Sequence, residues 1–178
     1  KQFAATAATA AAFFNQLNQY QLPLLGLDAS LVLVYRDEYV KALGKARGEF
    51  QILLLQEWLV QQSLPKVAQA QQFSLLAHCT EKTALPASEK HWQQIFAQMG
   101  LELKPVSVGC CGMAGTYGHE KQQLENSKAL FELSWRAPVT QLGNEQILVT
   151  GFSCRSQVKR LVGDKPRHPL QALLQALT

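Results

Sequence analysis

The chain has 178 residues, of which 47% are hydrophobic and 17% are charged, and its formal net charge at neutral pH is +4. A chain of this size buries a core without disulfides, so the composition suits one compact α/β domain and excludes a disulfide-dependent scaffold. No run of about 18 or more apolar residues occurs, which excludes a membrane-spanning helix.

The first part of the chain predicts helices and one short strand. Residues 2–21 form an alanine-rich segment with high helix propensity. This segment has the apolar start of a signal peptide, but no cleavage site follows it, so we interpret it as a helix. A strand is expected at 24–27, Asp28 is placed to cap a helix over 29–43, and another helix is predicted over 49–62.

The second part alternates short apolar runs with helical segments, which predicts a parallel sheet with helical crossovers. Ser88 is placed to cap the helix that follows it. The predicted elements are strands 72–79, 101–108 and 146–152 and helices 89–99, 119–134, 154–161 and 169–177. We therefore expect an α/β protein with a Rossmann-like parallel sheet flanked by helices.

Two cysteines, Cys110 and Cys111, stand side by side in a glycine-rich segment. Adjacent cysteines rarely form a disulfide with each other, because the geometry of the bond resists so short a loop. The glycines that surround them let the backbone come close to a bound group. They are Gly109, Gly112, Gly115 and Gly118. Two neighbouring thiols on such a turn favour binding of one metal centre.

The other two cysteines, Cys79 and Cys154, also follow predicted strands. Ligands of open parallel sheets bind beyond the carboxyl ends of the strands, and all four cysteines fall at such ends. We therefore predict that Cys79, Cys110, Cys111 and Cys154 share one metal site.

Several kinds of site are compatible with four such thiols. Four thiolates can hold one [4Fe-4S] cluster or one tetrahedral zinc ion, and their spacing does not distinguish the two. The long separations match ligands gathered from separate strands and not a zinc knuckle with close Cys-x-x-Cys pairs. Unmetallated redox thiols and packing cysteines are further alternatives.

Four residues near the cysteines are candidates for supporting roles. His78 and His119 flank the thiols, and each could orient a ligand or accept a proton from a substrate. Arg155 and Lys82 are either surface charges or groups that balance thiolate charge or bind a substrate carboxylate. No nucleic-acid-binding module is recognisable, so nucleic acid is not an expected partner.

The string Gly109-Cys110-Cys111-Gly112, with Cys79 upstream and Cys154 downstream, resembles the cysteine-rich CCG domain. Such domains occur in heterodisulfide reductases, in anaerobic glycerol-3-phosphate dehydrogenases and in the iron–sulfur subunits of lactate or glycolate oxidases. The strings at 78–83, 109–119 and 150–157 are most similar to the C-terminal region of bacterial FAD-linked oxidoreductases of the D-2-hydroxyglutarate dehydrogenase type.

The resemblance implies an electron-transfer role within a larger enzyme. FAD in a missing N-terminal part would oxidise a 2-hydroxy acid, and the four cysteines would hold a [4Fe-4S] cluster that passes electrons on. The expected partners are the rest of the polypeptide and the substrate, and the isolated chain is expected to be inactive. We expect a cytoplasmic enzyme, free or peripheral to the inner membrane face, and a homo-oligomer is compatible with this. The alternative is a structural or docking module in which the four cysteines bind zinc.

The resemblance also implies how the chain is divided into repeats. Residues 1–65 are interpreted as the helical remainder of a first CCG-type repeat that lacks its opening strand, and 66–178 as a complete repeat, both within one compact domain. Gln157 stands where the fullest family pattern has another cysteine, and the segment 29–31 has none where the first repeat often has one. We therefore expect one metal site at most. The chain also lacks an initiator methionine, which suggests that it is a fragment cut at its N-terminus.

Overall fold

A computed structural model describes residues 2–178 of the chain. No helix within these residues is both long and apolar enough to cross a membrane. The helices and strands are, in chain order, α1 (Gln2–Asn18), β1 (Leu24–Gly26), α2 (Ala29–Leu33), α3 (Tyr39–Leu43), β2 (Ile52–Leu54), α4 (Leu55–Leu59), β3 (Gln72–Leu76), α5 (Cys79–Ala84), α6 (Ser88–Gln98), β4 (Glu102–Pro105), α7 (Leu124–Ser134), α8 (Arg136–Leu142), β5 (Ile147–Val149), α9 (Phe152–Val162) and α10 (Pro169–Ala176).

The strands form two parallel sheets, one with the order β1-β2 and one with the order β4-β3-β5. Each parallel neighbour needs a crossover connection, and helical segments supply it in both sheets. The predicted fold class, an α/β protein with parallel sheets flanked by helices, is confirmed. The kinship between the segments 1–65 and 66–178 as repeats stays a prediction.

The described chain divides into two compact units, the first ending at Trp58 and the second running from Leu59 to Thr178. In the first unit, Ala7 and Ala11 of α1 are buried, and the rings of Phe14 and Phe50 lie 5.1 Å apart between centroids. This unit therefore has its own small core beside the two-stranded sheet.

Asp28 caps a helical segment as predicted. Its carboxylate accepts hydrogen bonds from the backbone N–H groups of Ser30, at 3.0 Å, and Leu31. The predicted helix over 29–43 is divided, because a π-helical turn over Val34–Glu38 separates α2 from α3. The element boundaries were therefore predictable here, but the change of helical type inside them was not.

The helix predicted over 49–62 is wrong. The segment contains the strand β2 and then only the short helix α4. A short apolar run fits a buried strand or a helix face equally well by periodicity, and pairing with β1 decides between them. The apolar run Ile52-Leu53-Leu54 is thus a strand because a parallel partner is present.

In the second unit, β3 is the central strand and β5 is buried along its whole length. Such uninterrupted apolar strands are typical of parallel sheets that are covered on both faces. Helices α6, α9 and α10 pack against the outer strands. The carboxyl ends of the three strands consequently lie at one edge of a well-covered sheet.

Several predicted boundaries in this unit need correction. The strands β3, β4 and β5 are shorter than predicted, because the residues that follow each one belong to loops or helix starts. Ser88 is the first residue of α6 and not its cap, and its hydroxyl donates to Glu81 instead of capping the helix. The helix predicted over 119–134 begins only at Leu124, after two 3-10 turns, and α8 was not predicted.

Candidate functional site

The four cysteines lie in three loops that leave the same edge of the second sheet. Cys79 begins α5 just after β3, Cys110 and Cys111 lie in the loop after β4, and Cys154 lies in the first turn of α9 after β5. Because β3 is hydrogen-bonded to both β4 and β5, the three loops are neighbours. The structure therefore brings the predicted cysteines to one place.

The four thiols form two pairs of interacting neighbours, Cys111 with Cys154 and Cys110 with Cys79. We call Cys111 and Cys154 the inner pair, since only 2% and 1% of their surfaces are exposed, and Cys79 and Cys110 the outer pair, which is partly exposed. Electrostatic interactions between Cys79 and Cys154 and between Cys110 and Cys111 link the two pairs. The thiols thus form one continuous cluster of neighbours.

This cluster is not a preformed metal cage. Within residues 2–178, no three or more His, Cys, Asp or Glu side chains are arranged so as to hold a metal ion. The donor chemistry suits a thiophilic metal, because thiolates are the preferred ligands of zinc and iron–sulfur clusters. The assignment of the four cysteines as ligands accordingly stays a prediction.

The interaction within the inner pair shifts the pKa values of its two thiols in opposite directions. The hydrogen bond from Cys154 lowers the pKa of Cys111, and the backbone N–H groups of Met113 and Ala114 act in the same direction against the effect of burial. The same bond, followed by burial, raises the pKa of Cys154 well above its ordinary value. The inner pair therefore holds a proton on Cys154 and favours negative charge on Cys111.

The outer pair is governed mainly by desolvation. Partial burial raises the pKa of Cys110, the nearby thiols of Cys79 and Cys111 add to this, and the N–H group of Gly112 opposes it. That N–H group lies 3.4 Å from the sulfur of Cys110. Cys110 is therefore a neutral thiol around pH 7 when no metal is bound.

The loop glycines have distinct surroundings. A Cβ atom on Gly112 would lie 2.1 Å from the carbonyl oxygen of Ser127, and the φ angle of Gly112 is +86°. Gly118 is buried against Ser127 and Met113, whereas Gly115 is exposed with φ +67° and no close neighbour. Only Gly112 thus combines a left-handed backbone with a backbone contact that leaves no room for a side chain.

Side chains from the following helices fix the start of the loop. The indole N–H of Trp135 donates to the carbonyl oxygen of Gly109 at 3.0 Å, and the N–H of Gly109 donates to the Ser134 hydroxyl at 2.9 Å. Trp135 is fully buried, so this hydrogen bond ties the residue before Cys110 to the core.

Two residues of α9 fix the rest of the loop. Arg160 donates to the carbonyl oxygen of Gly118. Gln157 is completely buried and donates to the Ser127 hydroxyl at 2.9 Å, while its own Oε1 atom accepts no hydrogen bond from the described residues. Because Ser127 packs against Gly112, Gln157 connects the helix of Cys154 with the loop of Cys111.

The predicted charge-balancing residues have other contacts in this structure. The Lys82 ammonium donates to the carbonyl oxygen of Val108, which ties α5 to the cysteine loop. The Arg155 guanidinium donates to Pro166 at 2.9 Å and to Gln171 at 2.7 Å, and burial lowers its pKa. Their roles toward a thiolate or a substrate stay predictions.

The two histidines differ. His78 is buried, its Nδ1 atom accepts from the Thr80 N–H at 3.2 Å, and its ring lies against Gly151, where a Cβ atom would be only 2.4 Å away. His119 is the exposed last residue of a 3-10 turn. The structure therefore places His78 against the backbone just before Cys154, whereas the side chain of His119 has no such contact among the described residues.

Sequence reasoning missed a buried polar network behind the cysteines. Glu81 is almost fully buried and accepts hydrogen bonds from the hydroxyls of Ser88 and Thr150, and Thr150 also accepts from the N–H of His78 at 3.0 Å. This network connects the segments that precede Cys79 and Cys154. No local pattern indicated it, because Thr150 is 72 residues from His78 and 69 residues from Glu81 in sequence.

The chain is similar along nearly its whole length to parts of known enzymes. It is 49% identical over 180 residues to the D-2-hydroxyglutarate dehydrogenase of Pantoea ananatis (strain AJ13355), which covers 99% of this chain and 18% of that enzyme. The enzyme of the same name from Escherichia coli (strain K12) is 49% identical over 179 residues, with the same coverage. The chain therefore spans 18% of the length of these two curated relatives.

A more distant similarity covers less of the chain. One subunit of the anaerobic glycerol-3-phosphate dehydrogenase of Escherichia coli (strain K12) is 32% identical over 78 residues, which are 44% of this chain and 19% of that subunit. No protein-family model matches the chain. No solved structure matches it either.

Proposed function

This chain resembles the C-terminal part of a larger dehydrogenase, and from that premise we propose that it is the electron-transfer domain of an FAD-linked 2-hydroxy-acid dehydrogenase of the D-2-hydroxyglutarate type. The flavin and the substrate site would belong to the rest of the polypeptide, which is the main partner of this domain. The similarity to one subunit of another dehydrogenase supports a module that is shared between such enzymes.

The observation that carries the proposal is the gathering of four thiols from three loops at one sheet edge. A protein that used its cysteines only for packing would not need two of them adjacent on a glycine-rich turn. The inner pair supplies two buried sulfurs and the outer pair supplies two that face the rim. We infer that Cys79, Cys110, Cys111 and Cys154 hold a [4Fe-4S] cluster, which accepts and donates single electrons when bound.

The residues of this chain would hold the sulfurs in place and keep water away. Trp135, Arg160 and Lys82 each bond a backbone carbonyl of the cysteine loop. Val108, Met113 and other buried apolar residues surround the inner pair. Metal binding requires thiolates, so the protons on the cysteine thiols would be released to solvent. The two pairs would also have to close around the metal, since among residues 2–178 they do not form a cage beforehand.

We also place the enzyme in the cytoplasm, either free or at the inner face of the membrane. The support is chemical, because reducing compartments keep thiols available as ligands.

The cluster assignment is tested on the full-length enzyme purified without oxygen. Iron, sulfide and zinc are quantified, and the electron paramagnetic resonance spectrum of the reduced protein is recorded. Cys110→Ser should lower the iron content by about four atoms per chain. Thr116→Ser, an exposed change in the same loop, is the matched control and should retain all of the iron.

Two results would contradict the proposal. Unchanged iron in Cys110→Ser would remove the ligand assignment. Zinc in place of iron at this site, without a reducible signal, would instead favour the structural module. The substrate is tested separately, since D-2-hydroxyglutarate should bleach the flavin absorbance of the full-length enzyme and also do so in Cys110→Ser.

A further inference from the structure

The edge strands of the two sheets differ in how well they are protected against pairing with an additional strand. In the second unit, the edge of β4 carries an exposed ion pair between Glu102 and Lys104, followed by Pro105. Charges and proline discourage the addition of another strand. At the other edge, the Val149 N–H donates to the carbonyl oxygen of Arg167 at 2.9 Å, so a passing segment covers β5. Both edges of this sheet are therefore blocked.

In the first unit, the outer edge of β2 is closed by side chains. The Arg36 guanidinium donates to the carbonyl oxygen of Ile52 at 2.9 and 2.7 Å. The Glu57 carboxylate accepts from the Leu54 N–H at 2.7 Å. Arg36 and Glu57 also form an ion pair with each other. These two side chains thus occupy the backbone groups that a neighbouring strand would use.

This arrangement fixes which way the backbone of β1 points. Because Leu54 directs its N–H away from β1, the intervening residue Leu53 must pair with β1. From the observed register, in which Leu25 lies opposite Leu53, we infer that Leu53 bonds to Leu24 and Gly26. The N–H and C=O groups of Leu25 consequently point away from β2, toward the outer edge of β1. Among residues 2–178, no hydrogen bond to the Leu25 backbone closes that edge.

The surface beside this edge is uncharged and rich in leucine. Leu25 is 37% exposed, and Leu22 and Leu27 on either side are 65% and 59% exposed. Residues 20–27 contain no charged side chain. A cavity of about 300 Å³ next to β1 is lined by apolar and by amide side chains, among them Leu22, Leu24, Leu53, Asn18, Gln21 and Gln51. Of the four sheet edges in the described part of the chain, only the β1 edge offers unpaired backbone groups within an uncharged, leucine-rich surface.

We propose that the outer edge of β1 is a docking site for an extended, apolar segment from the remainder of the full-length polypeptide, which adds to the sheet as a further strand. The relatives supply such a remainder, since the chain spans only 18% of their length. Parallel sheets are normally buried on both faces, and two strands alone are marginally stable. The added strand would pair with Leu25 and cover the exposed leucines.

This inference rests on the proposed function in one respect, that the chain works within a longer polypeptide. It does not depend on a metal or on the substrate. A second copy of the chain is a different occupant, and highly charged partners such as nucleic acid do not fit, because residues 20–27 carry no charge.

Amide hydrogen exchange of the full-length enzyme, resolved to single residues, tests the inference. The Leu25 amide should exchange on the order of 100-fold more slowly than in an unstructured peptide, at every protein concentration. Exchange at the unstructured rate would overturn the proposal. Protection that disappears on dilution would overturn it as well, because it would identify a second copy as the occupant.

A matched pair of variants gives a second readout in the full-length enzyme. Leu25→Lys should raise the rate of proteolysis around residues 20–27 at least about tenfold, since a charge at the edge opposes strand addition. Leu133→Lys places the same charge on an exposed leucine of α7 and should leave that rate unchanged. Equal rates in Leu25→Lys and the parent enzyme would contradict docking. Iron content, measured on the same samples, reports separately on the proposed function.

Discussion

The inner pair of thiols lies within the hydrophobic core, whereas the outer pair lies at its rim. Cys111 and Cys154 are surrounded by buried apolar residues, and the interaction between them raises the pKa of Cys154. Cys79 and Cys110 keep part of their surface in solvent. The position of the inner pair therefore depends on core packing, whereas solvent reaches the outer pair. The two pairs should consequently respond unequally to mutation and to reagents.

The largest loss of stability is expected at Gly112, where close backbone packing holds the loop of the inner pair. Gly112→Ala should destabilise the fold by about 3 kcal/mol or more, because the added Cβ would meet the Ser127 carbonyl oxygen at 2.1 Å in a left-handed backbone. Chemical denaturation measures the loss. Gly115→Ala is the control, with a similar backbone but open surroundings, and should cost about 1 kcal/mol. Equal losses of stability in the two variants would show that the left-handed backbone, and not the contact with Ser127, determines the cost.

In metal-free protein, the two pairs should differ in their reactivity toward thiol reagents. A small alkylating reagent should label the outer pair on the order of 100-fold faster than the inner pair, because reaction with a buried thiol requires local opening. Mass spectrometry of digested protein measures each site, and denatured protein provides the unprotected reference. Fast labelling of Cys154 would mean that the inner pair is not part of the core.

The rate at which Cys110 is labelled should also depend on pH. The thiolate is the reactive form, and burial raises the pKa of Cys110. Labelling of Cys110 should therefore be slow near pH 7 and should keep increasing above about pH 8.5, the ordinary value for a thiol. A rate that levels off below that value would contradict the raised pKa.

A moderate effect is expected from the buried amide beside the inner pair. Gln157→Met should cost about 2 kcal/mol, because Ser127 loses a buried hydrogen-bond partner. The same change should accelerate labelling of Cys154 more than labelling of Cys79. Gln141→Met, on an exposed face of α8, is the control and should change neither quantity.

The smallest effect is expected at Arg160, an exposed residue that bonds to the far end of the loop. Arg160→Met removes the hydrogen bond to Gly118 and should cost about 1 kcal/mol. Lys159→Met changes an exposed neighbour and should stay within about 0.5 kcal/mol of the parent. A larger loss for Arg160 than for Gln157 would reverse the order expected from burial.

Local patterns were sufficient to predict the sheet and the place of the thiols. Apolar runs followed by cysteines gave the parallel strands of the second unit, and parallel topology then put their ends together. The residues that support the loop were not predictable, because Trp135, Arg160 and Glu81 act through contacts far apart in sequence. The strand β2 was missed for a related reason, since only its pairing with β1 distinguishes it from a helix.

The hydrogen bond between Trp135 and Gly109 has a practical consequence. It places an intrinsic fluorophore against the residue that precedes Cys110, so the emission of this indole should respond when the loop moves or when a light-absorbing centre binds nearby. Two other tryptophans, Trp58 and Trp92, contribute a background that Trp135→Phe would reveal by difference. Trp135 would thus serve as an intrinsic fluorescent reporter of the proposed metal binding, without an attached dye.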